Sequence, residues 1–357
     1  MNLNTIIELS HEFGGTDYVK GGGGNTSAKD ESVVWVKPSG TTLKGLTRDR
    51  LVGVSRPAVE TLFETETPRD ADAREEMVRD LMARAVVDGA GRPSVEAPLH
   101  HVFDATYVVH THATLVNGMT CARSGAQACA ELFPDALWAE YIDPGYTLCM
   151  EIRKRIDAYR AEHGRQPSSL ILENHGIFVA ADTAEEIREI YGKTLARLKE
   201  VCTQAGYSAE LSLGEAATSP WTESRIRECF GEDAAFLSSS GGFPCVPGPL
   251  NPDQLLYTRA SPFTDEISAE NAARYRAERG YAPKVVVAND RVYGVGTSQK
   301  NADLALAMAQ DAAQIAQLAD AFGGIQFMSD RARDFIESWE VEHYREKVIS
   351  EARPEAS

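Results

Sequence analysis

What this sequence is short of narrows its function first. Its six cysteines, at 121, 129, 149, 202, 229 and 245, form no Cys-x-x-Cys pair and no framework spacing. That argues against a zinc knuckle or a disulfide scaffold and leaves buried free thiols as the expectation. Positive charge is scarce too: 36 Lys and Arg face 53 Asp and Glu, for a net charge of -17. Such a surface argues against tracking a phosphate backbone or an anionic bilayer. No segment approaches the roughly 20 apolar residues that span a membrane. The N-terminus MNLNTIIELSHEFGG lacks the basic head and apolar run of a secretory leader; it reads as a short amphipathic helix with Leu3, Ile6, Ile7 and Phe13 inward. A cytoplasmic protein is expected. Low-complexity blocks are small, and 43% apolar with 25% charged residues are globular proportions. A chain of 357 residues therefore has material for one large domain, or for a main domain of roughly 200 residues with a smaller one.

Strand and helix patterns alternate through the first part of the chain. The run Lys20-Gly21-Gly22-Gly23-Gly24-Asn25-Thr26-Ser27 can turn backbone amides toward an anion. It precedes the strand Val33–Lys37, whereas the dinucleotide fingerprint follows one. A helix is expected from Asp70 to about Val87, and a short one from Ser94 as N-cap through Phe103, with Glu96 in its first turn. A strand over 107–112, a helix carrying Leu148, Ile152, Ile156 and Tyr159, and a strand Ser169–Leu172 follow. Thr183-x-x-Glu186 forms a capping box that opens a long helix with Ile187, Ile190, Tyr191, Leu195, Leu198 and Val201 inward.

Serine, glycine and proline then accumulate, and three regions are expected: a metal-binding catalytic domain over 1–206, a linker or wrapped connection over 207–253, and a small α+β domain over 254–357. The last holds an expected strand Gln254–Arg259, a hairpin across Asn289-Asp290, a helix carrying Leu304, Met308, Ala312, Ile315, Ala319 and Phe322, and a final helix over about 329–349 with Trp339 and Tyr344.

The chemistry centres on Val108-Val109-His110-Thr111-His112. Side chains alternate along a strand, so two imidazoles separated by one residue face the same way. Glu173-Asn174-His175-Gly176, at a strand end, supplies a third imidazole. Three histidines with a carboxylate or water make a tetrahedral zinc site with one exchangeable position. Glu96 is suited to fill that position and to act as general base when substrate displaces it. His100 and His101, adjacent on a helix, face different ways and are read as structural.

Together, Gly24-Asn25-Thr26-Ser27, Lys37-Pro38-Ser39-Gly40, Pro93-Ser94-x-Glu96, His110-Thr111-His112 and Asn174-His175-Gly176 resemble the class II aldolase/adducin family over roughly residues 5 to 205. Fuculose-phosphate and rhamnulose-phosphate aldolases and ribulose-phosphate 4-epimerase belong to that family. The C-terminal part, with Pro249-Leu250-Asn251-Pro252-Asp253 and Trp339-Glu340-Val341-Glu342, is similar to the region after the aldolase part of long rhamnulose-phosphate aldolase/dehydrogenase fusions, and no dehydrogenase part is expected. The resemblance implies an α/β fold: a three-layer α/β/α sandwich with a largely antiparallel central sheet, usually a cyclic homo-tetramer. It implies Zn2+, or another divalent ion such as Mn2+ or Co2+, on His110, His112 and His175, with Glu96 as acid/base. It also implies substrate phosphate held by Asn25, Ser39, Gly40 and Ser94. Val95 stands where sugar-phosphate aldolases commonly carry a second serine, which removes one hydroxyl donor, and Gly22 replaces a hydroxyl residue of some members. Tyr141 is a further substrate-pocket candidate.

The expected function is a zinc-dependent aldolase, a lyase of carbohydrate metabolism. It would reversibly cleave a ketose or ketose 1-phosphate, through a metal-bound enediolate, to a three-carbon ketone like dihydroxyacetone phosphate and an aldehyde. A 4-epimerase or decarboxylase using the same enediolate is the alternative. A non-catalytic, adducin-like binding module is the alternative of another class; retention of all three histidines and the glutamate weighs against it.

Overall fold

The computed structural model describes residues 1–338 apart from 90 and 216, and its chain divides into two units. The first comprises Met1–Val116 and Ala126–Leu198; the second comprises Asn117–Gly125 and the described residues from Lys199 onward.

The first unit begins with α1 (Asn4–Phe13), and its β-branched runs assemble one sheet. The strands are β1 (Asn25–Lys29), β2 (Val33–Val36), β3 (Val52–Ser55), β4 (Val86–Asp88), β5 (Tyr107–Thr111), β6 (Leu137–Ala139), β7 (Ser169–Leu172) and β8 (Gly176–Ala181). Between them run α2 (Arg56–Glu64), α3 (Ala71–Ala85), α4 (Ala97–Val102), α5 (Thr114–Thr120), α6 (Gly125–Leu132) and α7 (Tyr146–His163), and α8 (Ala184–Gln204) follows. The strand order is β4-β3-β2-β1-β5-β8-β7-β6. Only the β6–β7 pair is parallel.

Helices cover both faces. On one, Val108, Leu170, Leu172, Phe178 and Ala180 pack with Leu99 and Phe103 around α4 and with Leu148, Ile152 and Ile156 of α7. On the other, Phe13 of α1 meets Tyr191 of α8 at a ring-centroid distance of 4.4 Å. The Tyr191 hydroxyl donates to Val109 O and accepts from Thr111 Oγ1, both at 3.1 Å. This is the expected α/β/α sandwich with a largely antiparallel sheet. Its period of two puts Val108 and His110 on the α4 and α7 side, and Val109 and Thr111 on the α1 and α8 side.

Local caps explain where elements begin. Thr183 N–H donates to Glu186 Oε2 and Glu186 N–H to Thr183 Oγ1, each at 3.2 Å, so the capping box forms as read. The short helix α4 starts at Ala97, not at Ser94. Ala97 N–H bonds Ser94 O at 2.9 Å in a preceding turn, and Glu96 becomes the cap residue.

The second unit contains α9 (Pro220–Phe230), β9 (Phe236–Gly241), α10 (Pro252–Thr258), α11 (Ala269–Arg279), β10 (Val285–Ala288), β11 (Arg291–Gly296), α12 (Gln299–Ala319) and α13 (Asp330–Ser338). Its sheet runs β10-β11-β9, antiparallel throughout. The hairpin turn is as anticipated: Asn289 and Asp290 both take positive φ, 49° and 57°, as a two-residue I′ connection requires. Two expectations fail here. Gln254–Arg259 lies mostly in α10, because Asn251 caps the Gln254 N–H at 2.8 Å and Pro252 occupies the first turn. The stretch 207–253 is more than a connection, since it supplies α9 and β9, and β9 pairs with β11 from Phe236 to Gly241. Trp339, Tyr344 and the rest of the expected last helix beyond Ser338 lie outside the described residues.

All six cysteines are free thiols. Burial pushes the Cys129 thiol up to about 12, so it stays protonated. Among the described residues no helix is long and apolar enough to cross a membrane.

Candidate functional site

His110 leaves β5 on the α4 side, and His112 follows one alternation later. The opposing strand end brings His175 to them. Between β7 and β8 the chain turns in three residues, with Asn174 at φ 52°, a conformation Asn tolerates better than most side chains. Gly176 then lets β8 press against β5: a Cβ there would lie 2.3 Å from Thr111 O and 3.2 Å from His112 Cδ2. Gly24 serves the other flank, where a Cβ would meet His110 O at 2.6 Å. The result is three imidazoles whose ligand nitrogens all lie within 4.8 Å of one another. His110 is fully buried, His175 buried and His112 half-buried.

Hydrogen bonding orients the cluster. His110 Nδ1 lies 3.0 Å from Ile177 O; a carbonyl only accepts, so Nδ1 carries the proton and Nε2 presents its lone pair. His112 Nε2 lies 2.9 Å from that atom. Phe178 stacks on the His110 ring at 3.8 Å and fixes its plane.

Glu96, at the head of α4, faces this cluster. Its Oε2 is 3.7 Å from His110 Nε2, and its Oε1 is 3.7 Å from His175 Nε2. Asn25 Nδ2 donates to Oε2 at 2.5 Å. Oε1 is buried and has no hydrogen-bond partner among the described residues. An orphaned carboxylate oxygen is costly unless something cationic or protic meets it. Convergent imidazole nitrogens beside such an oxygen fit a divalent metal: His110, His112 and His175 would hold it, with Glu96 adjacent.

The remaining predicted residues gather beside Glu96. Asn25 pairs across from His110 in the β1–β5 ladder. Ser94 Oγ accepts from Asn25 Nδ2 and from the Glu96 N–H, each at 3.3 Å. The Pro38-Ser39-Gly40 turn reaches the same segment through a bridge between Pro38 and Pro93. Ser39 N–H donates to Arg92 O at 2.9 Å, and its Oγ to Pro93 O at 3.5 Å. Gly40 is buried in this turn. Lys37 Nζ ties the turn to the glycine run, donating to Thr41 O at 2.8 Å and Gly22 O at 3.4 Å. The Tyr141 N–H donates to Glu173 Oε2 at 3.2 Å, which links its loop to the turn carrying His175.

One residue set aside as structural joins the constellation. His100 Nε2 is in a short contact with Asn25 Oδ1, and its Nδ1 lies 2.7 Å from Ser27 Oγ. Burial first, with His110, Lys29 and Lys37 adding to it, holds this imidazole well below its ordinary pKa, so it is neutral. The spacing of four residues between Glu96 and His100 was the available signal, because such residues share a helix face.

The model of the Class II Aldolase and Adducin N-terminal domain matches residues 4–192. Comparison with curated proteins gives no match. Similar solved structures include the N-terminal class II aldolase domain of a conserved protein from Thermoplasma acidophilum, at 23% identity over 56% of this chain and 93% of that one, with a TM-score of 0.48. An L-fuculose 1-phosphate aldolase is 20% identical over 62% of this chain and 92% of its own, with a TM-score of 0.39. A sugar-phosphate aldolase from Thermotoga maritima is 14% identical over 56% and 96%, with a TM-score of 0.39. With a match to more than half its length, over the residues that build the sandwich and the histidine cluster, the chain belongs to the class II aldolase and adducin family.

Proposed function

We propose that this protein is a zinc-dependent carbon–carbon lyase that reversibly cleaves a ketose or ketose 1-phosphate to a three-carbon ketone and an aldehyde. The observation that carries this reading is the buried, unpartnered Glu96 Oε1 facing three convergent imidazoles. When bound by His110, His112 and His175, a divalent cation supplies Lewis-acid polarisation of a ketose carbonyl. Glu96 carries the proton. In synthesis the Glu96 carboxylate removes a proton from the carbon beside the ketone carbonyl, and as the C3–C4 bond forms the aldehyde oxygen takes up a proton from water; cleavage is the reverse, the C4 hydroxyl giving its proton to water as the bond breaks and protonated Glu96 returning its own to C3. Asn25 holds the other carboxylate oxygen, so a single oxygen faces the reacting carbon. Ser39, Gly40 and Ser94 form the rim that would receive a substrate phosphate, with Asn25 at its inner edge. Residues 1–206 carry this chemistry in the proposal, in a cytoplasmic homo-oligomer.

The test is a panel of phosphorylated and free ketoses presented to zinc-loaded protein, with aldehyde release followed by a coupled reductase. Release that a chelator abolishes and zinc restores is expected. Absence of aldehyde from every ketose with the metal in place would contradict the proposal. Activity confined to free sugars would match the hydroxyl lost at Val95.

A further inference from the structure

We infer that His100 is a positioning residue that, through Asn25, fixes which carboxylate oxygen of Glu96 faces the reacting carbon. The inference rests on the reading of Glu96 as proton carrier. It follows from the donors and acceptors along a buried chain, Ser27–His100–Asn25–Glu96. Asn25 and Ser27 share one face of β1, two residues apart, and His100 lies on α4 one turn after Glu96.

The direction of every bond in this chain is determined from the Glu96 end. Asn25 Nδ2 lies 2.5 Å from Glu96 Oε2, so the Asn25 group that donates there is its NH2. The second hydrogen of that NH2 points at Ser94 Oγ, 3.3 Å away. Asn25 Oδ1 therefore faces His100, and His100 Nε2 must be the donor in their contact. Its Nδ1 is then an acceptor, and Ser27 Oγ–H, at 2.7 Å, donates to it. Ser27, Asn25 and His100 are at most 4% exposed, so water does not substitute for any of them. An Asn amide turned over would aim Oδ1 at the carboxylate and its NH2 at His100 Nε2, which could accept it only as the Nδ1–H tautomer, with Ser27 Oγ then accepting. In its Nε2–H tautomer His100 opposes the one rotamer of Asn25 that would turn an oxygen toward Glu96, and so holds the Asn25 NH2 on the carboxylate.

Two variants separate positioning from packing. His100→Leu keeps the apolar volume but removes the donor to Asn25. His100→Gln restores a donor and an acceptor in one side chain. With a metal-loaded protein and a cleaved ketose, His100→Leu is expected to lower kcat by about 10–100-fold with KM within about threefold and metal content unchanged, while His100→Gln recovers most of kcat. A purely structural His100 would instead shift the melting temperature in both variants and leave kcat of the folded fraction unchanged; that result would overturn the inference while leaving the lyase reading intact.

A second readout needs no turnover. Ring nitrogen NMR of the full chain is expected to show His100 as the Nε2–H tautomer, and Asn25→Leu to abolish that preference. The Nδ1–H tautomer in the unsubstituted protein would overturn the inference, since Asn25 would then have to present its NH2 to His100. Should no ketose be cleaved, the lyase reading fails on the panel and the tautomer alone decides the positioning chain.

Discussion

Replacing Glu96 by glutamine separates proton transfer from folding and metal retention. The side chain keeps its length, and its amide oxygen can still accept from Asn25, now 2.5 Å from Oε2. What the fold loses is the difference between a charge-assisted and a neutral hydrogen bond, about 1 kcal/mol. Against that stands the removed cost of burying a carboxylate whose Oε1 has no hydrogen-bond partner. The two terms oppose each other, so stability should move by no more than about 1 kcal/mol, a few degrees in Tm for a unit of this size. His110, His112 and His175 are untouched and should retain the metal. An amide takes up no proton at neutral pH, so the whole contribution of general acid/base catalysis disappears, about 10²–10⁴-fold or roughly 3–5 kcal/mol of barrier. The most direct assay is exchange of solvent deuterium into dihydroxyacetone phosphate, followed by proton NMR, because it needs no knowledge of the aldehyde. Glu96→Gln should hold full metal and exchange at least about 100-fold more slowly. Exchange within about threefold of the unsubstituted protein, at full metal content, would refute Glu96 as the proton carrier.

Other perturbations reach different links. Gly176→Ala would place a Cβ 2.3 Å from Thr111 O and 3.2 Å from His112 Cδ2; it should cost about 1–3 kcal/mol in denaturant unfolding and weaken metal retention in chelator competition at least roughly tenfold. Burial lowers the Lys29 amine to about 7, while the unfolded chain keeps the ordinary value near 10.5. Between those values the unfolded state binds the extra proton, so Lys29 makes stability rise as pH increases from about 7 toward 10.5, and its penalty is complete below 7. Lys29→Met should remove up to about 1.4 kcal/mol per pH unit of that slope when unfolding is measured at pH 7, 8 and 9; an unchanged slope would contradict the assignment. Tyr191→Phe removes the hydroxyl shared by Val109 O and Thr111 Oγ1 and should cost about 1 kcal/mol in denaturant unfolding with deuterium exchange unaffected.

The parts legible in the sequence were those set by local periodicity. Two imidazoles two residues apart on a β-branched strand must share a face, and His110 and His112 do. Thr183 and Glu186 announce a helix start through bonds made within one turn. Asn289-Asp290 is a turn whose residues tolerate positive φ, and both adopt it. Distant partners were harder to read. The stretch Phe236–Gly241 is rich in serine and glycine, yet it becomes a strand because β11, some fifty residues later, supplies its backbone bonds. Gln254-Leu255-Leu256-Tyr257-Thr258 reads as a strand on propensity, and the Asn251 cap with Pro252 turns it helical. His100 is hard to tell by sequence from its neighbour His101, which points elsewhere, toward Glu60 Oε2 at 3.0 Å. What connects His100 to Glu96 is Asn25, more than seventy residues earlier, and no spacing rule within one helix contains that contact.

In the proposed enzyme His110, His112 and His175 hold one divalent metal. Elemental analysis of protein dialysed against zinc and then against buffer measures this directly, with His175→Ala beside it. About one zinc per chain is expected in the unsubstituted protein, and close to none in a His175→Ala variant that still melts cooperatively. A folded, unsubstituted protein that retains no zinc, or a His175→Ala variant that retains all of it, would rule out this three-histidine site.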